Sequence, residues 1–302
     1  SLAELWSIFD FLMPQYLFNY HYFQKQYEND IVKNNDEEKT KQLKKLVTPF
    51  ILRRNKKEVL TELPDKIEQN IILPFNDEEE KLYVANLAEA NKELQELYDL
   101  EGSDKMQILK LLTRLRQLCL EPRLVYDNID QPSSKLKACM ELIKTMQENK
   151  QKVLLFSSFT SVLDLIAEEC QKAGITYYML TGSTNKEDRR ELVSRFQKDD
   201  TTVFLISLKA GGTGLNLTSA EAVIHFDPWW NVSAQNQATD RAYRIGQKNN
   251  VQVFNLVMKD SVEEKIIELQ KRKKELADMF VENNSGGLSQ MSKEDILSLF
   301  TM

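Results

Sequence analysis

Residues 203–247 read VFLISLKAGGTGLNLTSAEAVIHFDPWWNVSAQNQATDRAYRIGQ, and this stretch decides the fold. One short apolar run leads into a glycine-rich turn, and a second leads to paired tryptophans and an arginine-bearing segment. Similar apolar runs at 153–156, 177–180 and 251–256 alternate with amphipathic segments of helix length. Short buried strands separated by crossover helices predict a parallel sheet covered on both faces. Ligands of such sheets collect at the carboxyl ends of the strands, where the polar motifs of this chain fall.

The composition excludes several classes of protein. The chain has 302 residues, of which 42% are hydrophobic and 28% charged, enough for one large domain or two modest ones. The sequence has no apolar run as long as a membrane span and no secretory signal pattern, so we expect an intracellular protein without a membrane partner. The cysteines lie far apart and only two histidines accompany them, which predicts packed, reduced thiols and no metal site: Cys119, Cys139 and Cys170.

Net charge does not decide whether the chain binds nucleic acid. The formal charge is −6, yet residues 135–250 carry 15 basic and 13 acidic side chains. The acidic excess therefore lies outside the predicted sheet. A nucleic-acid groove needs only local positive potential and well-placed hydrogen-bond donors.

The chain divides into four segments. Residues 1–75 are helical and crowded with aromatic side chains, which we expect to pack against another part of a larger protein. Residues 76–133 predict a helical hairpin and a linker, and residues 134–260 predict the sheet lobe. Residues 261–302 predict an amphipathic helix and a short terminal helix.

Local signals refine this division. The stretch 67–73 lies between two prolines and predicts an extended crossing segment. The helical hairpin is interrupted near Gly102, and the short terminal helix begins at Ser292.

Two turns follow the first two predicted strands of the lobe. Ser157 ends the first strand, where hydroxyls and free amides could hold a phosphate, but Thr160 or Ser161 could simply cap the next helix, and taken alone the cap is favoured. Gly182 and Ser183 follow the second strand, where ordinary turn chemistry is an equally simple explanation.

The third turn has the sequence SLKAGGTGLNL, from Ser207 through Lys209 to Leu217. Gly212 and Gly214 allow backbone amides to approach an anionic ligand without obstruction by a Cβ atom. The turn lacks the lysine and hydroxyl residue of a Walker phosphate loop. A tight loop that packs a strand against a helix remains an alternative.

The segment after DPWWN predicts a helix that begins at Asn231 or Ser233 and ends at Gly246. Its positions 237, 240, 241 and 244 follow helical spacing, so two guanidiniums would share one face with Gln237. Arginine suits the charge of a transferring phosphoryl group because it stays ionised and donates parallel hydrogen bonds. A solvated ion-paired face is the alternative, and Trp230 could be a core anchor.

Taken together and in this order, these motifs resemble the C-terminal RecA-like lobe of the Swi/Snf-like ATPases, within the superfamily-two helicases. The resemblance covers residues 134–280 closely. Residues 2–6 and 49–64 resemble the segment that leaves the first lobe of these motors. The implied fold is α/β, with a RecA-like parallel sheet, helices on both faces and a C-terminal brace helix that carries Val262, Ile266 and Leu269.

The resemblance also implies roles for individual residues. Two RecA-like lobes close around ATP and double-stranded DNA, and Arg241 and Arg244 act as arginine fingers on the γ-phosphate. Trp230 is implied to reach toward the minor groove. The implied nucleotide-site residues are Gly212, Gly214 and Gln237. The implied contacts to the DNA backbone are Ser157, Gly182, Ser183, Ser207 and Lys209. Tyr243 and Thr181 depart from the histidine and aspartate that are usual in the family.

The sequence lacks a Walker lysine loop and a DExH-type acidic pair, and phosphoryl transfer depends on both. ATP and magnesium are therefore expected to be bound mainly by an N-terminal lobe absent from this chain. This chain alone should not hydrolyse ATP. The leading hypothesis is the C-terminal half of a duplex DNA translocase that remodels protein–DNA complexes, with a DNA-bound protein as a further partner. Alternatives are the second lobe of another superfamily-two DNA or RNA helicase and a non-hydrolysing binding module.

Overall fold

The structure, a computed structural model, describes residues 2–34, 36–51, 64–99, 105–211, 214–280 and 299–300. The strands among the described residues form one all-parallel sheet in the order β1-β6-β5-β2-β4-β3. Its strands are β1 Lys66–Leu73, β2 Val153–Ser157, β3 Tyr177–Leu180, β4 Val203–Ser207, β5 Ala222–His225 and β6 Val251–Met258. The predicted α/β fold with a parallel sheet is confirmed.

The centre of the sheet is apolar on both faces. Every residue of β2, β4 and β5 is buried, as continuous apolar runs in a two-sided parallel sheet require. β2 lies between β4 and β5, and its last residue, Ser157, pairs with Ser207 at the end of β4. The carboxyl ends of these strands therefore meet at one edge.

The crossing segment predicted at 67–73 belongs to the sheet. Residues Lys66–Leu73 form β1, which pairs in parallel with β6 along its whole length. The extended conformation was predicted, but the pairing was not, because β1 and β6 are far apart in the sequence.

Helices cover both faces of the sheet. They are α7 Ser134–Glu148, α8 Thr160–Lys172, α9 Lys186–Phe196, α10 Leu208–Gly211 and α11 Val232–Thr239. One apolar cluster joins α7 and α8 to one face, and a second joins α9, α10 and the segment after α11 to the other. The three cysteines are buried and unpaired, as predicted.

A third core joins the hairpin to the C-terminal helix. The hairpin helices are α5 Asp77–Asp99 and α6 Lys105–Leu120, and the helix after β6 is α12 Val262–Phe280. Tyr83 and Leu112 from the hairpin pack with Val262 and Ile266 of α12 and with Trp230. The predicted interruption at Gly102 and the helix start at Ser292 lie outside the described residues.

The N-terminal segment has a separate small core. It contains α1 Leu2–Leu12, α2 Tyr20–Phe23, a π-helical turn Gln24–Glu28, α3 Asn29–Asn34 and α4 Glu37–Val47. Phe9, Phe23 and Leu43 are buried in its core. Phe11 remains 86% exposed and Phe18 51% exposed, so part of the predicted aromatic surface faces solvent.

In the described residues no helix is both long and apolar enough to span a membrane.

Candidate nucleic-acid and nucleotide site

The carboxyl edge of the sheet brings the turns after β2, β3, β4 and β5 next to one another. This edge carries the predicted residues of the turn after each strand, as expected for ligand sites of parallel sheets. The turns differ in how far they are exposed.

The turn after β2 is buried. The Ser157 side chain is fully buried, its hydroxyl donates to Asp227 Oδ1 at 2.7 Å, and the same carboxylate oxygen accepts the Ser158 backbone N–H at 3.0 Å. The favoured interpretation of this motif was wrong: the N-cap of α8 is Phe159, without a side-chain cap, and neither Thr160 nor Ser161 takes that position. Ser157 Oγ instead accepts the Phe159 N–H at 3.1 Å. A DNA contact by Ser157 stays a prediction.

Arg116, which the sequence reasoning missed, completes this turn. It lies on α6 in the hairpin, and its Nη2 donates to Asp227 Oδ2 at 2.8 Å and to Ser158 Oγ at 2.9 Å. A signal was present, because positions 112, 115, 116 and 119 have the spacing of one apolar helical stripe and Arg116 is its only charged member.

The turn after β3 is open. Gly182 and Ser183 are exposed, and a Cβ atom at Gly182 would meet no atom within 4 Å. The Thr181 and Ser183 hydroxyls lie 2.8 Å apart, and the Thr181 N–H donates to Thr184 Oγ1 at 3.1 Å. Thr181, one of the departures from the family pattern, therefore helps to shape this exposed turn.

The turn after β4 combines one buried and one exposed candidate. Ser207 is buried, and its hydroxyl has no hydrogen-bond partner among the described residues, whereas Lys209 is exposed on α10. Gly211 is closely packed, since a Cβ atom there would come within 3.0 Å of the Phe156 ring. Gly212 lies outside the described residues, and Gly214 has φ +40°, a conformation that favours glycine.

The helix after DPWWN is shorter than predicted. Asn231 caps α11 as expected, accepting the Ala234 N–H at 3.2 Å, but α11 ends at Thr239 and not at Gly246. One contact at this end is tertiary and one is local: the Arg241 carbonyl accepts the Leu217 N–H at 3.0 Å, and the Ala242 carbonyl accepts Gln247 Nε2 at 3.3 Å. These bonds replace those that would continue the helix.

Turns therefore carry both candidate arginines. Arg241 is half-buried and donates from Nε to the Gly211 carbonyl at 3.0 Å, which joins the arginine segment to the glycine turn. Burial, and then the like charge of Arg244, lower the pKa of the Arg241 guanidinium. Arg244 and Gln237 are exposed, and the departure residue Tyr243 is buried against the sheet, where it anchors the segment.

Trp230 is a core residue in this structure. Only 8% of it is exposed, and it packs with the hairpin and α12 beside the Arg116 guanidinium, as the core-anchor alternative predicted. The neighbouring Trp229 carbonyl accepts a hydrogen bond from Gln270 of α12. A minor-groove role for Trp230 stays a prediction.

His225 lies beneath the same edge. Its ring stacks on Phe156 with centroids 5.6 Å apart, and Nε2 lies 2.9 Å from Thr239 Oγ1. Burial lowers its pKa to about 4, so the ring is neutral near pH 7.

Two domain families match the chain. The SNF2-related domain matches residues 1–124, and the helicase conserved C-terminal domain matches residues 134–246. All the candidate residues of the carboxyl edge lie in the second match, whereas Arg116 lies in the first.

Among full-length relatives, the chain is 36% identical over 310 residues to the putative ATP-dependent helicase/translocase YwqA of Bacillus subtilis, covering 100% of this chain and 33% of that protein. It is 33% identical over 319 residues to the ISWI chromatin-remodeling complex ATPase ISW1 of Saccharomyces cerevisiae, covering 99% and 28%. The chain thus spans about a third or less of the length of these relatives.

A solved structure agrees with these matches. The Sulfolobus solfataricus SWI2/SNF2 ATPase core in complex with dsDNA shares a TM-score of 0.61 and 34% identity, covering 90% of this chain and 58% of that one. The parallel sheet and both domain matches lead to the same assignment. The chain belongs to the SNF2-related family and carries the helicase conserved C-terminal domain.

Proposed function

We propose that this chain is the C-terminal half of an ATP-dependent translocase on double-stranded DNA that remodels protein–DNA complexes. The observation that carries the proposal is the joint placement of Arg241, held against the Gly211 carbonyl, and exposed Arg244 at the edge where Lys209 is also exposed. Cationic donors next to a glycine turn fit a polyphosphate on one side and a nucleic-acid backbone on the other.

In this proposal the nucleotide is shared between two lobes. ATP, when bound, supplies the γ-phosphoryl group, and a first lobe outside this chain holds it together with magnesium. Arg241 and Arg244 donate to the phosphate oxygens, where their fixed positive charge stabilises the developing negative charge. Gly212, Gly214 and Gln237 are assigned to the same nucleotide site.

The DNA backbone is assigned to the neighbouring turns. Gly182, Ser183 and Lys209 are exposed, so these residues can donate to phosphate oxygens. The Ser207 hydroxyl has no partner among the described residues but is buried, so its contact with a phosphate requires the turn to open. Ser157 is buried, and its contribution to DNA binding is proposed to act through the shape of its turn. Contact by Trp230 requires its side chain to leave its buried position.

The proposal is tested by the nucleic acid that stimulates ATP hydrolysis. A polypeptide joining this chain to a nucleotide-binding first lobe is assayed with blunt duplex DNA, single-stranded DNA and duplex RNA of equal length. Duplex DNA is expected to raise the steady-state rate at least about tenfold, because productive lobe closure needs both backbones. Equal stimulation by RNA or single strands would favour another superfamily-two helicase, and no stimulation would favour a binding module.

Remodelling is the finer part of the proposal and has its own assay. The relative ISW1 is named as a chromatin-remodeling ATPase, which supports testing a protein-bound duplex as the substrate. The two-lobed polypeptide is expected to displace or shift a DNA-bound protein only when ATP is present. Displacement that is independent of ATP would contradict this part.

A further inference from the structure

The Arg116 guanidinium joins two parts of the chain that are remote in sequence. Its Nη2 donates to Asp227 Oδ2 at 2.8 Å, to Ser158 Oγ at 2.9 Å and, more weakly, to the Pro228 carbonyl at 3.4 Å. Its side chain is 7% exposed and that of Asp227 1% exposed, so the ion pair is shielded from water.

Three aromatic rings surround the same guanidinium. Its Cζ lies 4.9 Å from the Phe159 ring centroid, 5.5 Å from that of Trp229 and 5.4 Å from that of Trp230. A planar, delocalised cation can stack on rings and donate hydrogen bonds in its plane at the same time, which an ammonium group cannot do. The site therefore fits arginine better than lysine.

The Asp227 carboxylate divides its two oxygens between these partners. Oδ1 accepts the Ser157 hydroxyl and the Ser158 N–H, and Oδ2 accepts Arg116 and the Ser158 hydroxyl. Arg116 on α6 is thus linked through one carboxylate to the turn after β2 and to the segment that carries the tryptophans. Arg116 belongs to the SNF2-related match, whereas Ser157, Asp227 and Trp230 belong to the helicase C-terminal match.

We propose that Arg116 is a positioning residue for DNA engagement: it couples the helical hairpin to the turn after β2 and to the Asp227–Trp230 segment, and so sets the shape of the DNA-facing edge. This inference rests on the proposed function as a duplex DNA translocase. A merely structural role would affect folding but leave the DNA requirement of the folded protein unchanged.

The test uses the two-lobed polypeptide and three variants. Arg116→Met leaves the buried Asp227 carboxylate without its cation and is expected to destabilise the fold. Arg116→Met combined with Asp227→Asn removes both charges while an amide oxygen still accepts from Ser157, so it is expected to fold. Arg116→Lys keeps a positive charge but cannot reproduce the stacked, in-plane geometry.

The readout is the duplex DNA concentration that gives half-maximal ATP hydrolysis, measured separately from the maximal rate. We expect the double variant to require about tenfold more duplex DNA, with the maximal rate changed less than about threefold, and Arg116→Lys to show a smaller shift in the same direction. Arg114→Met is the matched control, because Arg114 lies two positions away on α6 and is exposed.

The outcomes separate the two proposals. A wild-type protein that duplex DNA does not stimulate overturns the proposed function and this inference together. The inference alone is overturned if duplex DNA stimulates the wild type but both the double variant and Arg116→Lys keep the wild-type half-saturating DNA concentration. Thermal melting must show that both variants are folded. If the double variant does not fold, Arg116→Lys decides by the same criterion. The inference is also overturned if the half-saturating DNA concentration of the double variant shifts only as much as that of Arg114→Met.

Discussion

Two arginine sites lie at the same edge of the sheet and differ in how their charge is balanced. Arg116 is buried against the Asp227 carboxylate and three aromatic rings. Arg241 is half-buried next to the like charge of exposed Arg244, and its pKa is lowered by burial and by that neighbour. The Arg116 ion pair is shielded from water, whereas Arg244 at the second site faces solvent, where an anion from outside the chain can reach it.

The difference indicates a division of labour along one edge. A buried ion pair contributes to the shape of the edge, and removing one member exposes the fold to an uncompensated charge. Arg241 lies beside the carboxylate of Asp240 as well as the like charge of Arg244, and exposed Arg244 adds little to stability. Each arginine site can therefore be tested by substitution, with enzymatic activity and the free energy of unfolding measured for each variant.

The largest expected effect is at the open site. Arg241→Ala and Arg244→Ala in the two-lobed polypeptide should each lower DNA-stimulated ATP turnover by about a thousandfold, because an arginine finger stabilises the transition-state charge. Arg244→Ala should change the free energy of unfolding by only about 0.5 kcal/mol, since Arg244 is exposed. Steady-state ATP hydrolysis and chemical denaturation measure the two quantities.

Arg190→Ala is the matched control for these variants, because Arg190 is an exposed arginine on α9. Wild-type turnover in Arg244→Ala, or an equal loss in Arg190→Ala, would remove the distinction between the two sites.

The next effect is a pH dependence of stability that arises from buried His225. The unfolded chain protonates His225 near pH 6.5, whereas burial delays protonation of the folded chain to about pH 4. The contribution of neutral His225 is thus complete above pH 6.5 and is lost as the pH falls toward 4, by about 3 kcal/mol in all. The difference in unfolding free energy between wild type and His225→Gln across this window measures it.

The control for the pH series is His21→Gln, because His21 is the other histidine of the chain and its side chain is exposed. A wild-type slope retained in His225→Gln, or lost equally in both variants, would disprove the assignment.

A smaller effect is expected where the glycine turn meets the sheet. Gly211→Ala should reduce the free energy of unfolding by about 2 kcal/mol, because its Cβ atom would come within 3.0 Å of Phe156. Gly182→Ala is the control, since a Cβ atom there meets nothing within 4 Å. Equal melting temperatures of the two variants would show that the glycine turn tolerates a side chain.

The smallest effect concerns a single DNA phosphate. Lys209→Ala should weaken duplex binding and reduce the slope of log affinity against log salt by about one, if this exposed side chain replaces one counterion. Binding is measured by fluorescence anisotropy at several salt concentrations. Lys198→Ala, an exposed lysine that precedes β4 at the opposite edge, is the control, and an unchanged slope for Lys209→Ala would remove it from the interface.

The sequence predicted the features that depend on local pattern. The apolar runs of β2 to β6 and the cap at Asn231 were found where expected, because burial and capping leave short-range signals. The family resemblance was carried by the motif order and is confirmed by both domain matches.

What the sequence did not predict depends on contacts between distant residues. The pairing of β1 with β6, the end of α11 at Thr239 and the burial of Ser157 each follow from a partner far along the chain. Arg116 was missed for the same reason, because its ion-pair partner Asp227 lies 111 positions away in the sequence. Its place in an apolar helical stripe marks Arg116 as unusual, but that pattern does not identify its partner.

The central claim is that this chain helps to drive movement along intact duplex DNA. The most direct measurement is displacement of a labelled third strand from a triplex by the two-lobed polypeptide with ATP, with strand separation of the underlying duplex followed in the same reaction. We predict ATP-dependent release of the third strand while the duplex stays paired, and loss of that release in Arg241→Ala. Separation of the duplex strands, or ATP hydrolysis without release of the third strand, would contradict the account.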